Sequence, residues 1–429
     1  MDRLAFNKLL EWKNATNRKP LIIRGARQVG KTWLMKEFGR RTFENVVYVN
    51  FESSSRLKKL FEEDFQIDRI IAVLEIETNQ KVEAKNTLLI FDEVQEAEKG
   101  LTSLKYFYEQ APKYFIIAAG SLLGLSIQKD NSFPVGKVDF MELYPLSFVE
   151  FLINRGEEKL TGELRNRNWP VVSIFHEKLI ELLRLYYFVG GMPEVVADYI
   201  QNKNLSTCRN LQKKIIMGYE NDFAKHAPST IVPRIRLVWN HLISQLAKEN
   251  RKFIYGQIKK GSRAKDFELA ISWLVDAGLA IKVNRVEKPT QPLQAYSDMD
   301  SFKLFFVDIG LLNAMADLDQ KIVLEKNKIL TEYKGALTEQ FVCQQLKSKT
   351  KLFYWSAPNG TAEVDLVVEQ NSQIVPIEIK AEENLKSKSL KIFVEKYESK
   401  NAVRVSMNNY RKQNWMTNIP LYGVGTIIE

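Results

Sequence analysis

Short apolar runs dominate the first third of the chain, and they are continuous rather than alternating. Residues 21–23, 46–51, 87–91, 114–119 and 138–143 are rich in β-branched and aromatic side chains. That pattern predicts strands buried on both faces, as in a parallel sheet. Segments over residues 4–14, 32–38, 57–78 and 99–110 separate them and carry a helical pattern. The alternation predicts an α/β fold with an N-terminal parallel sheet. From residue 147 the pattern turns helical. Ser147 and Glu150 form a capping box ahead of an apolar run. Residues 175–189 keep a helical period up to the stop Gly190-Gly191, and Pro193 sits near the first turn of the next helix. Residues 211–223 and 233–248 predict two more helices.

Further along, a short helix over residues 257–260 and a longer one over 267–277 precede strands at 280–286 and 304–307. Helix, turn, helix and β-ribbon follow the order of a winged helix-turn-helix. The last quarter predicts a helix over 333–346 and then strands at 353–355, 363–368, 374–380 and 402–405. Four domains are expected: residues 1–160, 161–230, 231–330 and 331–429. The net charge of +10 is unevenly spread, with +1 on residues 1–150, +7 on 151–330 and +2 on 331–429. A polyanion should therefore meet the middle section first. The basic cluster within residues 248–265 (Lys248, Arg251, Lys252, Lys259, Lys260, Arg263, Lys265) faces only Glu249, and it is the expected DNA contact. A merely solvated helical surface, or a protein-contact module, stays open beside that reading. The two cysteines, Cys208 and Cys343, are far apart and make neither a disulfide framework nor a metal cluster, which suits a cytoplasmic protein. No run is long enough to span a bilayer, so no membrane segment is expected.

Chemistry enters at Gly25-Ala26-Arg27-Gln28-Val29-Gly30-Lys31-Thr32, which fits the phosphate-binding pattern G-x-x-x-x-G-K-[ST] at every fixed position. A strand precedes it and a helix follows, so its amides and the helix N-terminus would converge on phosphate oxygens. Lys31 would reach the β- and γ-phosphates of ATP, and the Thr32 hydroxyl would hold Mg²⁺. Downstream, the apolar run over residues 87–91 ends in Asp92-Glu93. Asp92 would ligate Mg²⁺ and Glu93 would polarise the attacking water as general base. Ser121 follows another strand at its carboxyl end, where ligands of open α/β sheets bind, and is placed to sense the γ-phosphate. A solvated acidic pair and a plain turn serine are the competing readings.

The phosphate loop, the Asp-Glu strand, the Ala119-Gly120-Ser121 strand end and the segment Pro145-Leu146-Ser147-Phe148-Val149-Glu150-Phe151-Leu152 occur in this order. Together they resemble prokaryotic AAA-family P-loop ATPases that carry a C-terminal domain of PD-(D/E)XK nuclease fold. The string Tyr187-Phe188-Val189-Gly190-Gly191-Met192-Pro193-Glu194 resembles the helical lid of that family. The resemblance implies an arginine finger acting in trans, but no residue matches it clearly; Lys137 and Arg155 are the nearest. In the last quarter, Asp365 followed by Glu378-x-Lys380 resembles the nuclease motif. Residues two apart on a strand project from one face, so Glu378 and Lys380 belong together, with Asp365 on the neighbouring strand. The two carboxylates would suit Mg²⁺, and Lys380 would orient a metal-bound water. Glu339, on the preceding helix, fits the additional acidic position of that fold. An inactive nuclease fold, a homo-oligomer and a protein partner all stay open. His176, His226 and His241 make no metal or triad spacing.

Overall fold

The computed structural model describes every residue except 121–133, 247–251, 325–330, 359, 382–386 and 429, and gives only the backbone of 322 and 331–333. Two compact units emerge: Met1–Tyr144 with Asp276–Gly278, and Pro145–Val275 with Leu279–Glu429.

The first unit holds five parallel strands. They are β1 (Leu21–Arg24), β2 (Asn45–Asn50), β3 (Thr87–Asp92), β4 (Phe115–Ala119) and β5 (Asp139–Glu142), in the order β2-β3-β4-β1-β5. β3 is buried at all six positions, as its unbroken apolar run requires. Val47, Val49, Phe51, Phe61, Leu89, Phe91 and Phe107 pack in one core beside it. The helix expected across residues 57–78 is two helices, Ser55–Lys58 and Ile67–Thr78. Asp64 breaks it. Its carboxylate accepts from Gln66 N at 2.9 Å and from Arg69 Nε at 2.9 Å, and Arg69 also donates to Leu60 O. A side chain that pairs with a backbone amide two residues on competes with helix continuation.

The second unit begins with helices. The capping box is present: Glu150 N donates to Ser147 Oγ, and the Glu150 carboxylate accepts from Ser147 N. Helices His176–Val189, Pro193–Asn202, Leu205–His226 and Val232–Leu246 follow. Tyr255–Ile258 and Ala264–Asp276 precede a ribbon of β6 (Ala280–Val286) and β7 (Ser297–Phe306), which pair antiparallel. Residues Lys248, Glu249 and Arg251 of the basic cluster lie outside the described residues. The ribbon is not a sheet of its own but the edge of a larger one. β6 pairs in parallel with β8 (Phe353–Ser356), giving one eight-stranded sheet in the order β12-β13-β11-β10-β9-β8-β6-β7. Its other strands are β9 (Glu363–Gln370), β10 (Gln373–Ile379), β11 (Ala402–Ser406), β12 (Arg411–Lys412) and β13 (Met416–Pro420). β8, β9 and β10 pair antiparallel, whereas β10 and β11 are parallel. A crossover is required there, and Lys388–Tyr397 supplies it, burying Leu390 and Phe393 in the core with Trp355.

The helix Thr331–Lys347 buries an apolar face (Ala336, Phe341, Val342, Leu346) and also a polar stripe. Gln340 bonds both backbone groups of Phe306, while Gln344 and Gln345 accept from Ile309 N and Phe148 N. These amides satisfy backbone groups at the end of β7 and at two helix starts, which is why a polar face is found inside. Asp308 caps Ile309–Met315 through Leu311 N and accepts from Gly191 N at 2.7 Å. Its pKa is raised: burial outweighs the hydrogen bonds from Gly191, Leu311 and Gln344 that stabilise the ionised form.

Candidate functional site

The carboxyl ends of β1 and β3 carry the acceptor loop and the acids. Gly25 has φ +145°, and a Cβ there would stand 2.1 Å from Leu143 O, so only glycine fits. Gln28 (φ +64°) and Gly30 (φ +89°) complete the curl. Lys31 and Thr32 open the helix Lys31–Thr42. Val29 and Ala26 are buried, and Arg27 and Gln28 lie between them on the loop. Lys31 is 6% exposed, and its Nζ donates to Gly25 O and Ala26 O, both at 2.9 Å. Burial depresses its pKa to about 8, against the opposing pull of Glu93 and Asp92. The ammonium therefore stands inside the loop against two backbone carbonyls, positions a phosphate oxygen would outcompete.

Thr32 Oγ1 donates to Asp92 Oδ2 at 2.7 Å. Tyr48 OH on β2 donates to the same oxygen at 3.0 Å, and burial followed by the nearby Asp92 charge pushes the phenol up to about 12. Glu93 follows at φ +50°, with Gln95 Nε2 donating to its Oε2 at 2.6 Å. Hydroxyl and carboxylate oxygens this close form a hard donor set, so Thr32 and Asp92 fit Mg²⁺ and ATP phosphates fit the loop. Two supports were not read from the sequence. Arg3 is buried and donates to Val29 O at 3.0 Å and Tyr144 O at 2.7 Å, bracing the loop from outside. Tyr48 steers Asp92. Its signal was the strand period, since β2 runs in register with β3 and pairs Asn50 with Asp92. Ser121 lies outside the described residues. Lys137 is ion-paired with Glu109 at 3.0 Å, and Arg155 lies over the Tyr199 ring.

With strand order, loop and acids in place, the comparisons add one decisive observation. Residues 17–152 match the family model described as AAA domain. That stretch, which holds the whole N-terminal sheet, is similar to AAA domains. Residues 180–322 and 334–423 match two models, each described as a domain of unknown function (DUF8612 and DUF4143). No curated protein matches the chain. Among solved structures, a Walker-type ATPase of Pyrococcus abyssi is 16% identical over 73% of this chain and 95% of its own, at a TM-score of 0.45. The Aeropyrum pernix ORC1 protein in complex with DNA is 11% identical over 73% of this chain and 91% of its own, at a TM-score of 0.29.

The C-terminal cluster is assembled differently from its sequence reading. Asp365 Oδ2 accepts from Ile379 N at 2.7 Å, and Lys380 pairs with Glu378 at 2.7 Å, so these three do come together on β9 and β10. Glu339 is fully buried and pairs with Lys303 of β7 at 2.9 Å. Lys303 also reaches Glu363 at 2.6 Å. Among the described residues no three acidic, histidine or cysteine side chains converge as a cation cage. Lys303 was missed, although a lone lysine in the run Phe302-Lys303-Leu304-Phe305-Phe306 was its signal. Cys208 and Cys343 are buried free thiols. Among the described residues no helix is long and apolar enough to cross a membrane.

Proposed function

We propose that the protein is an ATPase that binds ATP with Mg²⁺ at Gly25–Thr32 and Asp92, and uses nucleotide turnover to govern what its second unit engages. The hydrogen bond between Thr32 and Asp92, beside the buried Lys31, carries this reading. In it, the loop amides and Lys31 bind and orient the triphosphate, while Thr32 and Asp92 would hold Mg²⁺, which supplies charge neutralisation on the phosphates. Glu93, steadied by Gln95, takes the proton of the attacking water at a carboxylate oxygen. Ser121 as γ-phosphate sensor belongs to the same proposal. Steady-state phosphate release by wild type, Lys31→Ala and Glu93→Gln tests it: binding falls in the first variant, turnover alone in the second. Unchanged turnover in Glu93→Gln sinks the assignment.

For the second unit we propose a winged-helix-like element followed by a nuclease-like α/β fold. The succession of helix, three antiparallel strands, helix and parallel strand supports the latter. DNA is the proposed partner of residues 248–265, because Lys252, Lys259, Lys260, Arg263 and Lys265 are all exposed. A second reading, an ATP-dependent switch with an inactive nuclease fold and a protein partner, is favoured by the ion pair that Lys303 makes with Glu339. Cutting of linear or branched DNA that depends on divalent metal and is lost in Asp365→Ala would decide against the switch.

A further inference from the structure

The face of the eight-stranded sheet that carries Asp365 and Glu378 is crowded with the chain's own cations. Lys303 is 1% exposed and lies between Glu339 and Glu363, at 2.9 and 2.6 Å. Lys380 pairs with Glu378 at 2.7 Å. Arg404 stands directly opposite Glu378 in the parallel register of β10 and β11 and is itself buried. Four carboxylates (Glu339, Glu363, Asp365, Glu378) thus meet three resident positive charges. Two features separate this from an incidental surface pairing. The Lys303–Glu339 pair is inaccessible to water, so neither charge is solvated if the other leaves. Lys303 also projects from β7, while Glu363 and Asp365 lie two apart on β9 and Glu339 on a helix, so three elements converge on one ammonium.

We infer that Lys303 is a resident cation that closes the Glu339–Glu363–Asp365 carboxylates to divalent metal, so that this face serves as an ion-paired core and not as a metal centre. A divalent ion that used Glu339 or Glu363 would need the oxygens that Lys303 holds. Entry would require the ammonium to leave, and burial gives it nowhere to be solvated. Exchange of Lys303 for an apolar side chain of similar length removes the charge that occupies Glu339 and Glu363, leaving buried carboxylate oxygens without their resident cation.

The test is a Mn²⁺ titration of the full chain without nucleotide, followed by calorimetry and by the electron spin resonance of free Mn²⁺. An Asp92→Asn background removes the metal ligand of the N-terminal unit. With Lys303 in place, no site tighter than about 1 mM that is sensitive to Glu339→Gln or Asp365→Asn is expected. Lys303→Met should gain one site, tighter by at least about tenfold, and lose it again when Glu339→Gln is added. A Glu339-dependent Mn²⁺ site in the protein that retains Lys303 overturns the inference, and that arm stands even if Lys303→Met fails to fold. A folded Lys303→Met protein, checked by circular dichroism, that gains no site overturns it equally. None of these readouts involves ATP, so their failure is separable from failure of the ATPase reading.

Discussion

Lys31 makes ATP affinity depend on pH in a direction the structure fixes. Its pKa in the nucleotide-free protein is depressed to about 8, first by burial. Triphosphate oxygens replacing the carbonyls of Gly25 and Ala26 bring negative charge to the ammonium and raise that value. Binding therefore requires the protonated lysine and takes up a proton wherever the free protein has lost it. Affinity is flat below pH 8 and falls above it. The protonated-to-neutral ratio is roughly ten to one at pH 7 and one to ten at pH 9, so the dissociation constant should rise about tenfold between them. The fall continues until pH reaches the raised value of the complex. Stability of the nucleotide-free protein runs the other way: a lysine depressed on folding favours the unfolded chain below pH 8, and this cost shrinks as pH climbs toward the unfolded value. The assay is titration with a fluorescent ATP analogue at fixed ionic strength and free Mg²⁺, from pH 6.5 to 9.5. Lys31→Arg is the control, since a guanidinium stays charged throughout and its profile should be flat. A flat wild-type profile, or the same slope in Lys31→Arg, refutes the reasoning.

Three further outcomes follow from the geometry. Gly25→Ala forces a Cβ to 2.1 Å from Leu143 O at a backbone angle that L residues avoid, so ATP binding should fall by about a hundredfold or more while far-ultraviolet circular dichroism is retained. Glu93→Gln should lower the turnover number by roughly 10²–10⁴ with binding intact, as judged by phosphate release against analogue titration. Gln340→Leu strips partners from both backbone groups of buried Phe306 and should destabilise the second unit by about 2–4 kcal/mol, read from urea denaturation.

The N-terminal unit was legible because its signals are local. An unbroken apolar run such as residues 87–91 has one good solution, and a glycine loop between strand and helix fixes its own geometry. Thr32 and Asp92, 60 residues apart, were joined by motif order alone, and the structure places them at 2.7 Å. Arg3 was invisible because its role is to hold Val29 O and Tyr144 O, acceptors that every sequence has. The break at Asp64 was missed because helical period continues across it, while a side-chain-to-backbone bond decides the turn. The last quarter shows the sharper limit. Strand period correctly put Glu378 beside Lys380, and neighbouring strands put Asp365 with them. No spacing within residues 331–429 could show that Lys303, from the ribbon of the middle section, would reach Glu339. That pairing depends on β6 joining β8 in one sheet, a long-range choice no local pattern encodes.

The claim beneath the whole account is that a triphosphate is held between the glycine loop and the acid pair ending β3. A structure of the full chain with a non-hydrolysable ATP analogue and Mg²⁺ tests it most directly. The expected result is a γ-phosphate against Lys31 Nζ, with the metal on Thr32 Oγ1 and the Asp92 side. A loop still folded around Lys31 at millimolar analogue, with Thr32 bonded to Asp92 and the nucleotide elsewhere or absent, would contradict it.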